Sequence, residues 1–276
     1  GNYVLDSVAT DTADITAKPL TVSGITAQDK VYDGNTQAVI DTTTATLVGK
    51  ITGDVVTLEV TGALGTFADK NVGNGKDVAV SGLSISGDDA GNYSLTQPTT
   101  TADITVRDLT VGATGIDKVY DGTTAATVVL TDNRVTGDVF TAIYTSASFA
   151  DANAGSGISV SVIGISIAGV DAGNYNLLNT TAATTADITP KPITVTANSG
   201  QYKIFGTVDP VFAYTSAPND PPVAFSGVLS RAPGEEIGGY AITQGTLSAG
   251  SNYAINFVSA TFRITGELMY LPFVRK

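Results

Sequence analysis

An internal repeat constrains this chain more than any other feature, because motifs that recur in a fixed order indicate recurring structural units. The tripeptide Gly/Ser-Asn-Tyr occurs four times, with its Asn at positions 2, 92, 174 and 252. A segment related to Thr-Ala-Asp-Ile-Thr follows each copy, at 12–16, 101–105, 185–189 and, diverged to Thr-Phe-Arg-Ile-Thr, at 261–265. A third motif, Asp-Lys-Val-Tyr-Asp-Gly, occurs at 29–34 and 117–122. Chance does not easily produce this agreement in order and offset.

The motifs predict tandem modules joined almost without linkers. We divide the chain into the closing strands of a truncated upstream module, two related modules, a third diverged module and a tail, at residues 1–16, 17–105, 106–189, 190–265 and 266–276 respectively. Proline lies at two of the joints, at Pro19 and at Pro190 and Pro192. Since proline fixes φ, such joints favour an elongated and fairly rigid rod.

The hydrophobic pattern within a module has a period of two, which is typical of half-buried strands. Leu20 and Val22 alternate with Thr21 and Ser23, and the same alternation recurs in the segment 102–106. No segment shows a helical period over three turns, and Gly, Asn and Asp clusters separate the strands. We therefore predict a mainly β fold of small modules, either β-grasp-like or Ig-like.

Composition excludes several classes of function. The chain has no Cys, His or Trp and a net charge of -12. Without Cys and His it lacks the usual zinc ligands and the common nucleophile–base pairs. Its acidic charge argues against binding nucleic acid, and no apolar run is long enough to span a membrane. Paired carboxylates could hydrolyse glycosides, but repeated modules carry nearly the same Asp residues, whereas active sites are usually singular. We expect no enzyme.

The motifs resemble two known families. Lys-Val-Tyr-Asp-Gly at 30–34 and 118–122 is followed by Gly-Asp-Val at 53–55 and 137–139 and later by Asp-Ala-Gly-Asn-Tyr. This order resembles the YDG repeats of bacterial surface proteins. The third module differs: Tyr-Lys-Ile-Phe-Gly at 202–206, and the motifs after it, resemble the MBG domain of the same proteins, a mostly bacterial β-grasp-like module.

The resemblance implies a mainly β module in large exported proteins of the filamentous-haemagglutinin kind, which are extracellular or on the bacterial cell surface. It implies no enzymatic activity and supplies no catalytic residues. The third module has Phe205 where Tyr is common in the motif, and it lacks Tyr-Asp-Gly. We therefore expect it to dock onto the second module differently from the way the first two modules meet.

The Tyr-Asp-Gly motif allows two interpretations. Tyr32 and Asp33, and likewise Tyr120 and Asp121, are a candidate binding site in which the ring stacks on a sugar and the carboxylate holds its hydroxyls. The simpler interpretation is a turn, in which Asp-Gly supplies an Asx-type hydrogen bond and a positive φ while Tyr packs over a strand end.

We expect the chain to need no cofactor, but its acidic turns leave calcium open as an alternative. The candidate ligands offer hard oxygens in glycine-rich turns and are Asp88, Asp89, Asn92, Asp171 and Asn174. Asp54 and Asp138, in the Thr-Gly-Asp turns, would add further ligands. Their spacing matches neither an EF-hand loop nor a calcium-binding nonapeptide repeat. The alternative is a solvated turn held by Asx hydrogen bonds.

The tail is the most apolar stretch of the chain. It either covers the third module or docks on a neighbouring subunit by adding a strand to its sheet. The residues that would dock are Leu268, Met269, Tyr270, Leu271 and Phe273.

These observations favour a structural repeat segment of an exported bacterial surface or extracellular fibre or adhesin, acting as a stalk. Its partners would be neighbouring repeats or further copies, joined through the ends into a filament. The alternative is an adhesin module that binds a host or matrix glycan or protein, with or without calcium.

Overall fold

The computed structural model describes residues 11–266, and this part of the chain is built of β-strands and turns. Within it the helical structure is limited to two short 3-10 turns, and no helix is long and apolar enough to cross a membrane. The predicted mainly β fold is confirmed.

The first module is built of short strands and one 3-10 turn. Its elements are β1 (Lys18–Ser23), β2 (Thr26–Ala27), β3 (Lys30–Val31), β4 (Gln37–Ala38), β5 (Ile40–Asp41), β6 (Thr46–Val48), β7 (Thr57–Glu59), β8 (Leu64–Phe67), β9 (Gly73–Ser81), β10 (Ser84–Ser86), η1 (Ala90–Asn92), β11 (Tyr93–Leu95) and β12 (Thr99–Thr105). They form two main sheets, one of three strands ordered β11-β1-β6 and one of five strands ordered β3-β12-β9-β8-β4. Buried residues from both sheets, including Leu20, Val22 and Val80, form its core.

The second module repeats most of this element order. Its elements are β13 (Arg107–Leu109), β14 (Val111–Ile116), β15 (Lys118–Val119), β16 (Thr127–Asp132), β17 (Thr141–Ile143), β18 (Ser146–Phe149), β19 (Gly155–Ile163), β20 (Ser166–Ala168), η2 (Ala172–Asn174), β21 (Tyr175–Leu177) and β22 (Thr181–Thr189). As in the first module, the closing strand pairs with the long strand before it, β22 with β19.

The third module packs two sheets face to face. Its elements are β23 (Lys191–Ala197), β24 (Tyr202–Ile204), β25 (Tyr214–Ala217), β26 (Ser230–Arg231), β27 (Gly238–Thr243), β28 (Tyr253–Val258) and β29 (Thr261–Thr265). The two sheets have the strand orders β25-β23-β28 and β24-β29-β27-β26. Val195 from one sheet and Ile242 and Phe262 from the other are fully buried in one cluster. This two-sheet arrangement corresponds to the Ig-like alternative.

The described residues form two compact units that do not coincide with the modules. One unit contains the described residues up to Thr110, with 133–141 and 167–178. The other contains 111–132, 142–166 and the described residues from Asn179 onward. The second module therefore contributes to both units.

Two strand pairings bring motifs of neighbouring modules to the same place. The first strand of each module runs parallel to the strand that begins at the Tyr of Asn-Tyr, so that Lys18 lies opposite Tyr93 and Arg107 opposite Tyr175. The Tyr of Tyr-Asp-Gly is tied to the end of the closing strand, because the Tyr32 N–H donates to the Thr105 carbonyl at 2.9 Å.

Only residue 106 separates the closing strand β12 from β13, the first strand of the second module. The Tyr-Asp-Gly of one module and the Asn-Tyr of the next must therefore meet where the chain passes between them. The same pairings recur further along the chain, with the Tyr120 N–H bonded to the Thr189 carbonyl and Lys191 opposite Tyr253.

Candidate functional site

The repeated motifs converge on a buried carboxylate in the first compact unit. The Tyr32 hydroxyl lies 2.9 Å from each oxygen of Asp138, and the Tyr175 hydroxyl donates to Asp138 Oδ2 at 2.5 Å. The two tyrosine rings pack edge to face with centroids 5.6 Å apart. Tyr32 is 0% exposed and Asp138 is 8% exposed. Because Tyr32 belongs to the first module and the other two residues to the second, this cluster, which we call the joint cluster, ties the two modules together.

A lysine of the first module compensates the charge of the joint cluster. Lys70, in the turn between β8 and β9, places its Nζ 2.7 Å from Asp138 Oδ1 and 3.1 Å from Asp171 Oδ1. The ammonium also lies 5.8 Å from the centre of the Tyr32 ring. An isolated buried carboxylate would be costly, so this ion pair and the tyrosine hydroxyls are what make the burial of Asp138 tolerable.

The joint cluster keeps its acid ionised and its phenols neutral. Burial opposes ionisation of Asp138, but hydrogen bonds from Lys70, Tyr175 and Tyr32 outweigh it and hold the pKa of the carboxyl below its usual range. Burial, followed by the hydrogen bond to Asp138, raises the pKa of Tyr175 to about 12. At neutral pH the cluster is therefore a carboxylate with one ammonium and two hydroxyl donors.

The Asn of the Asn-Tyr motif makes a second connection between the modules. Asn174 Oδ1 accepts a hydrogen bond from the Val72 N–H at 3.0 Å, and its Nδ2 donates to Asn71 Oδ1 at 3.2 Å. The side chain is buried, so both halves of its amide are satisfied by the turn that also supplies Lys70.

The Asp and Gly residues of Tyr-Asp-Gly shape the loop and allow the second module to approach it closely. Asp33 Oδ1 accepts from Lys30 Nζ at 2.8 Å and from the Asn35 N–H at 3.1 Å, which is an Asx turn with an added ion pair. Gly34 has a φ of +81°, and a Cβ there would come within 2.7 Å of Val135 Cγ1. The structure thus places the binding candidates Tyr32 and Asp33 in a turn whose polar atoms have protein partners.

The other candidate pair forms a related joint in the second compact unit. The rings of Tyr120 and Tyr253 pack edge to face at 5.5 Å. The Tyr253 hydroxyl donates to the carbonyl of Pro221 at 2.7 Å instead of to a carboxylate. Asp121 accepts from Lys118 at 2.8 Å, and this hydrogen bond, followed by one from the Thr123 N–H, lowers the pKa of Asp121 to about 2. Asp121 therefore repeats the local role of Asp33.

This second joint differs from the first, although not for the reason that the sequence suggested. Asn252 retains the role of Asn174, because it accepts from the Ala154 N–H at 2.8 Å. The turn that supplies Lys70 in the first module reads Ala-Asp-Ala-Asn in the second, with Ala152 in the place of the lysine. The acid and the base of the joint cluster are thus both replaced. We attributed the difference to Phe205 and to the lack of Tyr-Asp-Gly in the third module. That motif position lies at the other end of the module, where the Phe205 N–H donates to the Thr265 carbonyl.

The calcium candidates lie at the first joint and in the equivalent turn of the first module. Asp89 Oδ2 accepts from the Val55 N–H, and Asp171 Oδ2 accepts from the Val139 N–H, both at 2.8 Å. Asn174 is taken up by the joint, whereas Asp88 and Asn92 are exposed. Among residues 11–266, no group of three or more Asp, Glu, His or Cys side chains could hold a metal ion. Calcium stays a prediction.

The candidate docking residues Leu268, Met269, Tyr270, Leu271 and Phe273 lie outside the described residues. Sequence reasoning considered Asp138 only as an additional calcium ligand and missed Lys70. The role of Asp138 as the acceptor of the joint cluster was not predicted, although its place in a repeated Gly-Asp-Val marked it as a shared feature of the modules. Lys70 has no counterpart in the second module, so the repeat gave no signal for it.

Family models match almost the whole described chain. The YDG domain matches residues 16–102 and 105–186, and the MBG domain of YGX type matches residues 193–263. The predicted resemblance to both families is confirmed.

Two further comparisons concern curated proteins and solved structures. No curated protein matches the chain. Among solved structures, the chain is similar to the I67–I69 fragment of the titin I-band, with 9% identity, a TM-score of 0.24, and 88% of this chain and 97% of that chain covered. It is also similar to the I9–I11 tandem of titin, with 8% identity, a TM-score of 0.21, and coverage of 90% and 100%. The family matches, and not these likenesses, bear on identity.

Substituting Gly34 by Ala should test the close approach at the joint. We expect Gly34→Ala to lower the free energy of unfolding by about 1–2 kcal/mol because of the positive φ. The contact with Val135 should lower it by roughly 1–3 kcal/mol more. Gly53→Ala is the matched control, because Gly53 also has a positive φ (+104°) but nothing within 4 Å of a new Cβ. Urea unfolding would measure both. The contact would be contradicted if both variants lost the same free energy of unfolding. It would also be contradicted if adding Val135→Ala to Gly34→Ala restored none of the lost stability.

The ionised Asp138 predicts a specific acid sensitivity. The pKa of Asp138 is lower in the folded state than the usual value of about 3.9. Its ionised form therefore stabilises the fold at pH values above about 3.9, and this stabilisation is lost as the pH falls through the folded-state pKa. We expect Asp138→Asn to be less stable than the original protein by about 1.5–3 kcal/mol at pH 7, with the gap narrowing below pH ~4. Calorimetry at pH 7 and pH 3 would measure it. This role would be refuted if the stability difference between Asp138→Asn and the original protein were the same at both pH values. It would also be refuted if the exposed variant Asp88→Asn showed an equal decrease in its stability difference.

Proposed function

The chain belongs to the YDG domain family, and we propose that it is a structural repeat segment of an exported bacterial surface protein or extracellular fibre, acting as a stalk. Its YDG and MBG domains are repeat modules in tandem. In this role the chain performs no reaction on a ligand. As a stalk it keeps the parts of the protein on either side of it at a fixed separation, because its joints resist bending.

The joint cluster is the observation that carries this proposal. A flexible linker would let neighbouring modules rotate freely, whereas here a single residue lies between β12 and β13. Bending at this point would also separate Lys70 and Tyr32 from Asp138 and leave a carboxylate without its partners. The cost of an unpaired buried charge therefore opposes bending.

The family matches support a stalk outside the cell, because YDG and MBG domains are typical of extracellular adhesin-like proteins. Thr and other neutral polar residues cover the outward faces of strands such as β12 and β22, which supplies a polar surface with few charges. An extracellular or cell-surface location is therefore part of the proposal, as is assembly through the chain ends.

The alternative of a glycan- or protein-binding adhesin module uses the same residues in another way. A sugar stacked on Tyr32 would need an accessible ring, whereas this ring is fully buried against Tyr175. Asp33 would have to exchange its hydrogen bonds with Lys30 and Asn35 for a ligand. Because the motif already has a structural use at the joint, the stalk is the function that the geometry supports best.

Stiffness of the first joint can be measured by electron–electron resonance between two spin labels. The protein has no native Cys, so labels can be attached at Leu64→Cys in the first module and Val170→Cys in the second, both exposed positions of the first compact unit. We expect a narrow distance distribution. Removing the ion pair with Lys70→Ala and Asp138→Ala should broaden it, because the joint loses its charged contacts.

A second ion pair supplies the matched control. Lys76 pairs with the exposed Asp69 at 2.7 Å within the first module alone, so Lys76→Ala should leave the distribution narrow. A broad distribution in the unmodified joint, or the same width with and without Lys70 and Asp138, would overturn the proposal of a stiff stalk.

A further inference from the structure

The first module carries a second copy of the acceptor half of the joint cluster, at the end where its own first strand begins. The Tyr93 hydroxyl donates to Asp54 Oδ2 at 2.5 Å and accepts from the Ile51 N–H at 3.1 Å. In the joint cluster, the Tyr175 hydroxyl likewise donates to Asp138 and accepts from the Val135 N–H at 2.8 Å. The hydroxyl, the carboxylate and the backbone amide thus recur in the same arrangement.

The second acid and the amide of the joint recur as well. Asp89 accepts from the Val55 N–H as Asp171 accepts from the Val139 N–H, both at 2.8 Å. Asn92 occupies the position of Asn174 in the motif. We call the surface formed by Ile51, Asp54, Asp89, Asn92 and Tyr93 the first-module face.

The two copies differ in what covers them. Asp138 and Asn174 are buried by the first module, whereas Asp54 is half-buried and Asn92 is exposed. Ile51, at the position of Val135, is 50% exposed. Among the described residues, no lysine or arginine forms an ion pair with Asp54 or Asp89, although Lys70 pairs with both of their counterparts.

The strand end beside the first-module face also lacks its usual neighbour. At both joints the closing Thr, Thr105 or Thr189, accepts a hydrogen bond from the N–H of the Tyr of Tyr-Asp-Gly. Thr16 holds this position in the segment 12–16, and it is exposed and outside any strand. Ile15 is 100% exposed, whereas its counterpart Ile104 is fully buried.

We propose that the first-module face is a docking surface for the Tyr-Asp-Gly end of a further YDG module, one that residues 12–16 close. The occupant carries a tyrosine at the position of Tyr32 and a lysine at the position of Lys70. Its tyrosine hydroxyl donates to Asp54, its lysine pairs with Asp54 and Asp89, and its turn receives Asn92.

The acids of the first-module face select this occupant over the other module ends in the chain. An end like that of the second module, with Ala152 in place of the lysine, would bury Asp54 and Asp89 without a compensating charge. The end of the third module presents Phe205, which has no hydroxyl to donate to Asp54. At the first joint Asp138 and Lys70 occur together. At the second joint both are replaced, since the Pro221 carbonyl accepts from Tyr253 and Ala152 holds the position of the lysine.

An extended chain tests this surface directly. Residues 17–100 would be placed immediately before Thr12, so that the added module ends in the native segment 12–16 and presents its own Tyr32 and Lys70. We expect Asp54→Asn to lower the melting temperature of the extended chain by about 4–8 °C, but to change that of the original chain little, because Asn still accepts from Tyr93. Changing the added lysine to Ala should abolish this difference.

The control is Asp88→Asn, which removes an exposed carboxylate of the same turn and should act equally in both chains. If the first extended chain does not fold, residues 17–105 placed directly before Ala17 provide the same contacts through the native closing strand of the first module. An Asp54→Asn shift that is the same in the original and extended chains, or that persists without the added lysine, would overturn the proposal. Because this readout concerns only the first-module face, it can fail while the stiff joint at Asp138 stands.

Discussion

The structure of the described chain depends on how the buried carboxylate of Asp138 is neutralised. Lys70 and two tyrosine hydroxyls satisfy it, and they come from both sides of the first joint. Since none of these partners can be withdrawn without leaving a charge or a hydroxyl unsatisfied in the interior, we expect the two modules to be energetically coupled. Small modules in tandem gain from such a contact, because each module alone buries only a modest core.

The family motifs acquire a common meaning from this interaction. Tyr-Asp-Gly supplies a donor that crosses the joint, a carboxylate that holds its own loop, and a position with room for Val135. Gly-Asp-Val and Asp-Ala-Gly-Asn-Tyr supply the acceptor groups on the next module. The motifs are far apart in sequence and meet only because a closing strand leads almost directly into the next first strand. Each motif therefore supplies one side of the contact between neighbouring modules. In the first module, Gly-Asp-Val and Asp-Ala-Gly-Asn-Tyr lie at one end and Tyr-Asp-Gly lies at the other.

Local patterns predicted the strands and the family well, because the period of two and the turn residues act over short distances. The burial of Leu20, Val22 and Ile104 follows directly from that period. The joint cluster could not be predicted in the same way, since it depends on the spatial meeting of residues about a hundred positions apart, and Lys70 has no repeat to reveal it. The sequence also misled us about Phe205, because a departure from a motif does not show at which end of the module it acts.

The most direct test of the account is a double-mutant cycle across the first joint. Lys70→Met retains the aliphatic stem beside Tyr32, and Asp138→Asn retains an acceptor for the tyrosines, so the cycle isolates the charge pair. We predict a coupling free energy of about 0.5–3 kcal/mol between the two substitutions at pH 7, measured by urea unfolding. Strictly additive losses would contradict the account, because the two modules would then not be held together by this ion pair.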